Sequence, residues 1–137
     1  MLNNFQDERI TIEAHFNKKW GKTTPVLFEN VKKNPPKTGN WVRFLIVDSE
    51  KTQMSIGNTQ LHRNIGQVMI EIFTKRGTGL GATNDLVDMA IKAFDVVQLD
   101  SVQFRSGYKV SVGDVGDEWF KTNVIIPFYR NSIVSTN

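Results

Sequence analysis

The stretch RNIGQVMIEIFTKRGTGLGATNDLVDMAIKAF, residues 63–94, decides the fold of this chain. Its first half alternates between apolar and polar positions, with Val68, Ile70 and Ile72 on one face, which is the period of a half-buried β-strand. Met69 and Phe73 make the opposite face partly apolar. We therefore predict a central strand rather than an edge strand.

The second half of the stretch changes to helical periodicity. Apolar residues recur at spacings of three and four, whereas Asp85, Asp88 and Lys92 lie on the opposite side. The strand and the helix together predict a set of core residues: Val68, Ile70, Ile72, Leu86, Ala90 and Phe94.

Three glycines join the strand to the helix, and such a turn can bind phosphate at a helix N-terminus. The sequence Gly77-Thr78-Gly79-Leu80-Gly81-Ala82-Thr83 fits neither the dinucleotide fingerprint nor the phosphate loop, because the spacing differs and no lysine follows the last glycine. We interpret it as a connection whose glycines adopt left-handed backbone angles.

The flanking sequence predicts further elements. A helix is expected from Phe5 to Lys19, with Phe5, Ile12 and Phe16 on one face, followed by a basic irregular connection over 21–40. A strand is expected from Trp41 to Asp48, and 49–62 is interpreted as a projecting hairpin with Gln53–Ile56 as its short returning strand.

Three β segments complete the prediction. The segments 101–105 and 108–112 are expected to form a hairpin at Ser106-Gly107, and the last strand is expected to end or lie at an edge at Pro127, followed by a frayed tail. The order predicts one α+β domain over residues 1–137, with a largely antiparallel or mixed sheet and two main helices packed on it.

Composition limits the classes of function. The chain has 137 residues and no cysteine, which excludes disulfides and thiolate chemistry. No transmembrane span or signal peptide is predicted. Residues 1–37 contain seven Lys or Arg and four acids, whereas residues 38–137 contain ten of each. A basic segment over 18–37 is compatible with nucleic-acid contact, but we favour the interpretation that its lysines only solvate a surface loop.

Catalytic and metal-binding patterns are not evident. His15 and His62 have no partner at ligand spacing, and Asp114, Asp117 and Glu118 lack the spacing of a calcium loop. We predict no enzymatic activity, no cofactor and no metal site.

The chain resembles the tail terminator, or tail-completion, family of long-tailed bacteriophages. The resemblance rests on short motifs in a fixed order: Trp20, Phe28-Glu29-Asn30, Trp41-Val42-Arg43, Met54-Ser55-Ile56-Gly57, Arg63 and Gly66 before Val68–Phe73, Gly77-x-Gly79, and Trp119–Phe128. Residues before Trp41 and the acidic loop 113–118 match least.

The resemblance implies a structural assembly protein that forms a ring, typically a hexamer, on the head-proximal end of the tail tube. Such a ring stops polymerisation of the major tail tube protein and binds a head–tail connector or head-completion protein, while DNA passes through its lumen without specific binding. It implies a location in the virion tail, after assembly in the host cytoplasm.

The two long connections are expected to contribute to ring contacts, through Lys32 and Lys33 in the first and Lys51 and Gln53 in the second. Two alternatives remain open. One is a small nucleotide- or nucleic-acid-binding module, which uses Gly77–Gly81 or the basic segment. The other is a different neck or minor tail protein of similar fold.

Overall fold

A seven-stranded mixed sheet with two helices on one face forms the body of the protein, as seen in a computed structural model that describes Leu2 and residues 4–135. The elements in chain order are α1 (Phe5–Trp20), β1 (Val26–Phe28), β2 (Trp41–Gln53), β3 (Thr59–Lys75), α2 (Gly81–Ala93), β4 (Gln98–Leu99), β5 (Val102–Phe104), β6 (Tyr108–Val115) and β7 (Trp119–Ser135). The predicted α+β fold class is confirmed.

The strand order is β1-β2-β3-β7-β5-β4, and β6 also pairs with β7. Only β1 and β2 run parallel to each other, while the remaining pairs are antiparallel. The β3–β7 ladder runs without a break from Thr59 opposite Ser135 to Lys75 opposite Trp119. β3 therefore lies between β2 and β7, which confirms that it is a central strand.

The core lies between the helices and one face of this sheet. All six residues predicted from the central stretch are buried, which confirms the periods of both halves. Alternate residues of β7 extend the same buried row, with Val124 and Ile126 fully inaccessible to solvent. Both helices therefore cover the same face of the sheet.

Phe94, at the end of α2, is the point where the two helices and the sheet meet. Its ring is parallel to that of Phe16 on α1, 6.2 Å away, and lies 4.8 Å from that of Phe104 on β5. Phe16 in turn stacks on Phe44 of β2 at 4.6 Å. His15 contributes a polar contact between the helices, since its Nε2 lies 2.7 Å from the backbone carbonyl of Ala93.

Helix α1 begins and ends at residues with capping geometry. The Asn4 side chain accepts a hydrogen bond from the Asp7 backbone amide, and Gly21 ends the helix with a positive φ of 58°. Its buried residues are Glu8, Ile12, Phe16 and Trp20. Phe5, which is predicted to share this face with Ile12 and Phe16, lies at the start of the helix before its first buried residue, Glu8, and is 57% exposed.

The hairpin between β2 and β3 differs from the expected one in its strand limits. Gln53–Ile56 is not a returning strand, because β2 continues to Gln53 and β3 begins only at Thr59. A bulge between Asp48 and Glu50 shifts the register and lets the polar half of β2 stay paired with β3. The connection before β2 is also less irregular than expected, since it contains β1.

The predicted hairpin at Ser106-Gly107 is wrong, because β5 and β6 each pair with β7 instead of with one another. The predicted end of the last strand at Pro127 is also wrong. Pro127 lies where the partner of β7 changes from β6 to β5, and its carbonyl accepts a hydrogen bond from the Arg105 amide at 2.8 Å. The missing N–H of proline therefore falls at a gap in the ladder.

The tail is not frayed as expected over Asn131–Ser135, since those residues pair with β3. The rest of the predicted tail, residues 136 and 137, lies outside the described residues.

Phe94→Ala should lower the free energy of unfolding by about 3–5 kcal/mol, because it removes a fully buried ring that contacts both helices and the sheet. Met89→Ala, on the half-exposed side of the same helix, is the matched control and should cost less than about 1 kcal/mol. Chemical denaturation of the two variants measures the difference. Equal losses would contradict the central position of Phe94.

Candidate functional site

A buried ion pair joins α1 to the far half of β7. Arg130 Nε donates to Glu8 Oε1 at 2.8 Å, and the two side chains are only 2% and 1% exposed. Arg130 Nη1 also donates to the backbone carbonyl of Leu2 at 3.1 Å, and its guanidinium lies 5.4 Å from the ring of Phe5. The N-terminal end of α1 is thereby fixed to the sheet.

The pKa of Glu8 is raised from 4.5 to about 7, mainly because the carboxyl is buried. The hydrogen bond and the charge of Arg130 oppose this rise, and the Asp48 carboxyl on β2 adds to it. The buried Glu8 therefore interacts with one buried cation, Arg130, and with one exposed acid, Asp48. Its protonation state changes close to neutral pH.

An open cleft of about 850 Å³ lies beside this pair. Its lining is mixed. Acidic groups from α1, from the connection between β1 and β2, and from β2 lie among the apolar side chains of Phe5, Val31 and Ile46. The acids are Glu8, Glu13, Glu29 and Asp48. Arg9 at the rim is held by Glu13 at 3.1 Å. Within the described part of the chain, no group of three His, Asp or Glu side chains is placed to hold a metal ion.

The face of the sheet opposite the helices carries aromatic and charged side chains in two groups. In the first, Trp41 stacks on Phe73 with ring centres 3.9 Å apart, and Trp119 meets Trp41 edge-on at 5.8 Å. Beside them, the Glu71 carboxylate forms ion pairs with Lys121 and, at 3.5 Å, with Arg43.

The second group lies towards the other end of the same face. The Arg63 guanidinium is 4.1 Å from the ring centre of Tyr129, and its Nε donates to Asn131 Oδ1 at 3.0 Å. The Arg105 guanidinium lies 5.6 Å from the centre of the same ring. A row of half-buried apolar residues from adjacent strands, Leu45, Met69 and Ile125, connects the two groups. Both described helices pack on the other face, so this one is open to a partner.

The residues predicted to make contacts lie in two separate regions. Lys32 and Lys33 are exposed in the connection between β1 and β2. Lys51 and Gln53 lie in the exposed end of β2, opposite Asn64 and His62 of β3.

The glycine-rich turn has the backbone expected of a connection. Gly77 and Gly79 have φ angles of 78° and 80°, in the left-handed region. Helix α2 begins after Leu80, without a side-chain cap. The whole turn is exposed, and Thr78 Oγ1 donates to the Lys75 carbonyl, which stabilises the turn internally.

The Glu8–Arg130 pair is the feature that sequence reasoning missed. Two signals for it were available. Glu8 precedes Ile12 by four residues on the stripe that continues to Phe16, and Arg130 continues the alternate buried positions of β7 beyond Phe128. Because charged residues on a buried face need a partner, the two could have been matched.

These features define a small α+β domain with an open cleft and one uncovered sheet face. Among the described residues, no helix is long and apolar enough to cross a membrane.

The sequence matches the family model described as phage tail terminator protein over residues 9–128. One solved structure aligns with 89% of this chain and 94% of its own chain, with a TM-score of 0.60 and 19% sequence identity, which shows a shared fold. No curated protein matches the sequence. The chain belongs to the phage tail terminator family, and its role is that of a structural protein of the phage tail.

The free energy of unfolding should fall as the pH rises from about 5 to about 8. Because the folded-state pKa of Glu8 is above its unfolded value, the folded protein binds more protons than the unfolded chain in this interval, so stability declines with pH. The difference between 4.5 and about 7 corresponds to on the order of 3 kcal/mol.

Glu8→Gln should remove most of this dependence of the free energy of unfolding on pH. Glu13→Gln is the control: it changes the partly exposed partner of Arg9 and should leave the pH dependence in place. Urea denaturation at a series of pH values measures both. An unchanged slope in the Glu8 variant would show that the titration arises elsewhere.

Proposed function

We propose that this protein forms a ring on the head-proximal end of the tail tube, stops polymerisation of the tube and provides the surface to which the head joins. The observation that carries the proposal is the family match over residues 9–128. The ring is taken to be a hexamer, assembled in the host cytoplasm and retained in the virion tail.

The surfaces of the molecule support this role. A subunit of a ring must contact two neighbours, the tube below and the head above, so it needs several exposed faces. The uncovered sheet face, the two sheet edges and the exposed end of the β2–β3 hairpin are available for these contacts. The proposed partners are therefore other copies of this chain, the major tail tube protein and a head–tail connector or head-completion protein.

The proposed lumen carries DNA without binding it specifically. Residues 38–137 contain equal numbers of basic and acidic residues, which gives no net attraction for the phosphate backbone. The role requires neither a cofactor nor enzymatic turnover.

A phage that lacks this chain should make tubes of uncontrolled length that do not join heads, and expression of the chain from a plasmid should restore both. Electron microscopy of lysates measures tube length and head attachment. Native mass spectrometry over a concentration series should show that the fraction of chains in rings increases with concentration or when tubes are added. The reason is that each contact must offset the loss of rigid-body freedom on association. Tubes of normal length in the absence of the chain would contradict the proposal.

Lys51→Glu with Gln53→Glu tests the exposed end of the hairpin. Both residues are exposed and lie in β2 beyond the bulge, so the free energy of unfolding should change by less than about 1 kcal/mol. If this end contacts the tube or a neighbour, the variant should restore head joining at least tenfold less efficiently than the wild type. Wild-type efficiency would mean that these two residues face solvent in the assembled tail.

A further inference from the structure

Two strands of the sheet have a side without a strand partner. In the described part of the chain, β6 pairs only with β7. β2 pairs with β1 only from Val42 to Phe44, so its continuation over 45–53 has β3 on one side and no described strand on the other. Such free sides carry backbone amides and carbonyls that a further strand can bind.

The two free sides lie at opposite ends of one run of strands. A single row of cross-strand partners connects them through β2, β3, β7 and β6, namely Leu45, Met69, Ile125 and Tyr108. Each step along this row is antiparallel, so β6 runs opposite to β2. The β6 strand of a second copy in the same orientation therefore meets β2 in the antiparallel sense, with the helices of both copies on one side of the joined sheet.

The other edge strands are less suited to pairing. β1 has three residues and is followed by a connection that contains Pro35 and Pro36, and β4 has only two residues. Short strands and prolines are the means by which natural sheets protect their edges. β6 has eight residues without a proline, and its Tyr108 side chain is 50% exposed. A partner strand is therefore expected at β6.

The free sides of β6 and β2 match on the sheet face opposite the helices. Val110 of β6 and Val47 of β2 are 42% and 41% exposed. Both lie on this face, because their cross-strand partners Asn123 and Gln67 alternate with buried residues of β7 and β3. Pairing of the two strands would cover apolar surface on each.

On the helix side, the free part of β2 borders the cleft. Asp48 of β2 lines this cleft with three further acids, and Arg9 is the one basic residue among the described lining residues. Lys109 of β6 lies on the helix side of its own copy, since its Nζ donates to Asn84 Oδ1 of α2 at 3.0 Å. The two free sides therefore carry opposite charges on this face, and both Asp48 and Lys109 are exposed.

We infer that β6 of one copy pairs with β2 of the next copy, so that one continuous sheet runs from subunit to subunit around the ring. This inference rests on the proposed ring. Lys109 then lies opposite Asp48, and Val110 lies opposite Val47, because antiparallel pairing moves back along β2 as it moves forward along β6. A slip by one residue would exchange the charged and the apolar faces, so these contacts fix the register.

The contact uses the regular part of each strand. β2 has its bulge just after Asp48, and β6 has a bulge after Ser111. The pairing is therefore expected over 45–48 of one copy and 109–112 of the next. Because each copy uses β6 in one contact and β2 in the other, the arrangement is head-to-tail and continues until the ring closes.

Cysteine cross-linking tests the pairing directly, because the chain has no cysteine of its own. In the full chain with Val47→Cys and Val110→Cys, oxidation under conditions that form rings should join the copies into a ladder of covalent species up to the closed ring. Directly opposite residues of paired strands lie within reach of a disulfide. Each single variant should give no cross-link, and an equal mixture of the two should stop at covalent dimers.

The matched control is Ile10→Cys with Val110→Cys, which moves one cysteine to an equally exposed position on α1. It should give about tenfold less cross-linked product, since the two thiols then meet only by collision. Thermal unfolding of the reduced variants confirms that these exposed substitutions leave the fold intact.

Hydrogen exchange of the wild-type chain is a second measurement that needs no substitution. The backbone amides of 109–112 and 45–48 should exchange more slowly in the ring than in the monomer, because strand pairing occupies them. Unchanged exchange in both segments of an assembled ring would overturn the pairing.

The remaining outcomes separate the inference from the proposed function. Covalent dimers from Val110→Cys alone would show that β6 pairs with β6 across a two-fold axis, which would overturn the head-to-tail contact. Rings that form without cross-links in the double variant would overturn the strand pairing and leave the proposed function in place. If the wild-type chain forms no ring even on tail tubes, the proposed function itself fails.

Discussion

The fold depends on one aromatic contact, in which Phe94 of α2 lies against Phe16 of α1 and both meet the sheet at Phe44. The buried stripes of both helices and the residues of one sheet face form a single core cluster. The histidine-to-carbonyl contact between His15 and Ala93 reinforces the same junction. Because a close-packed core transmits strain, a substitution at Phe94 or Phe16 disturbs the packing of both helices and of the sheet.

Placing both helices on one face has two consequences for the rest of the molecule. The opposite sheet face must be made compatible with water by its own side chains. At one end Trp41 and Phe73 are buried, and the Arg43 and Lys121 side chains that pair with Glu71 lie beside their rings. Towards the N-terminal end of α1, the apolar core gives way to the buried pair of Glu8 and Arg130. Such a pair contributes little net stability, because the cost of removing both charges from water offsets most of their attraction.

The sequence was most informative where local pattern and tertiary structure agree. The alternation of Val68, Ile70 and Ile72 and the helical stripe ending at Phe94 predicted both the elements and their buried sides. This worked because the residues that repeat with the period of a strand or a helix are the ones that pack in the core. The family resemblance predicted from ordered motifs was confirmed by the family match.

The sequence was least informative where distant residues decide the outcome. Ser106-Gly107 looked like a hairpin turn, yet both neighbouring strands pair with β7, which begins only at Trp119. Pro127 was predicted to end the strand. Instead β7 continues through it, because its missing N–H falls where the partner of β7 changes from β6 to β5. Likewise, Glu8 and Arg130 are separated by most of the chain: the local pattern of each indicates a buried position, but only the folded structure shows that they pair. The contact surfaces depend on which residues remain uncovered after folding, and for that reason Lys32, Lys33, Lys51 and Gln53 remain predictions.

The position of β7 in the sheet has a consequence for the timing of synthesis. β3, β5 and β6 all pair with this strand, although all three precede it in the chain. Until residues 119–135 leave the ribosome, β3 has an open side and β5 and β6 have no common partner. Pairing over such long sequence separations makes folding slow compared with helical domains. The chain therefore cannot present its finished edges before β7 has joined the sheet, which delays association between copies until that step.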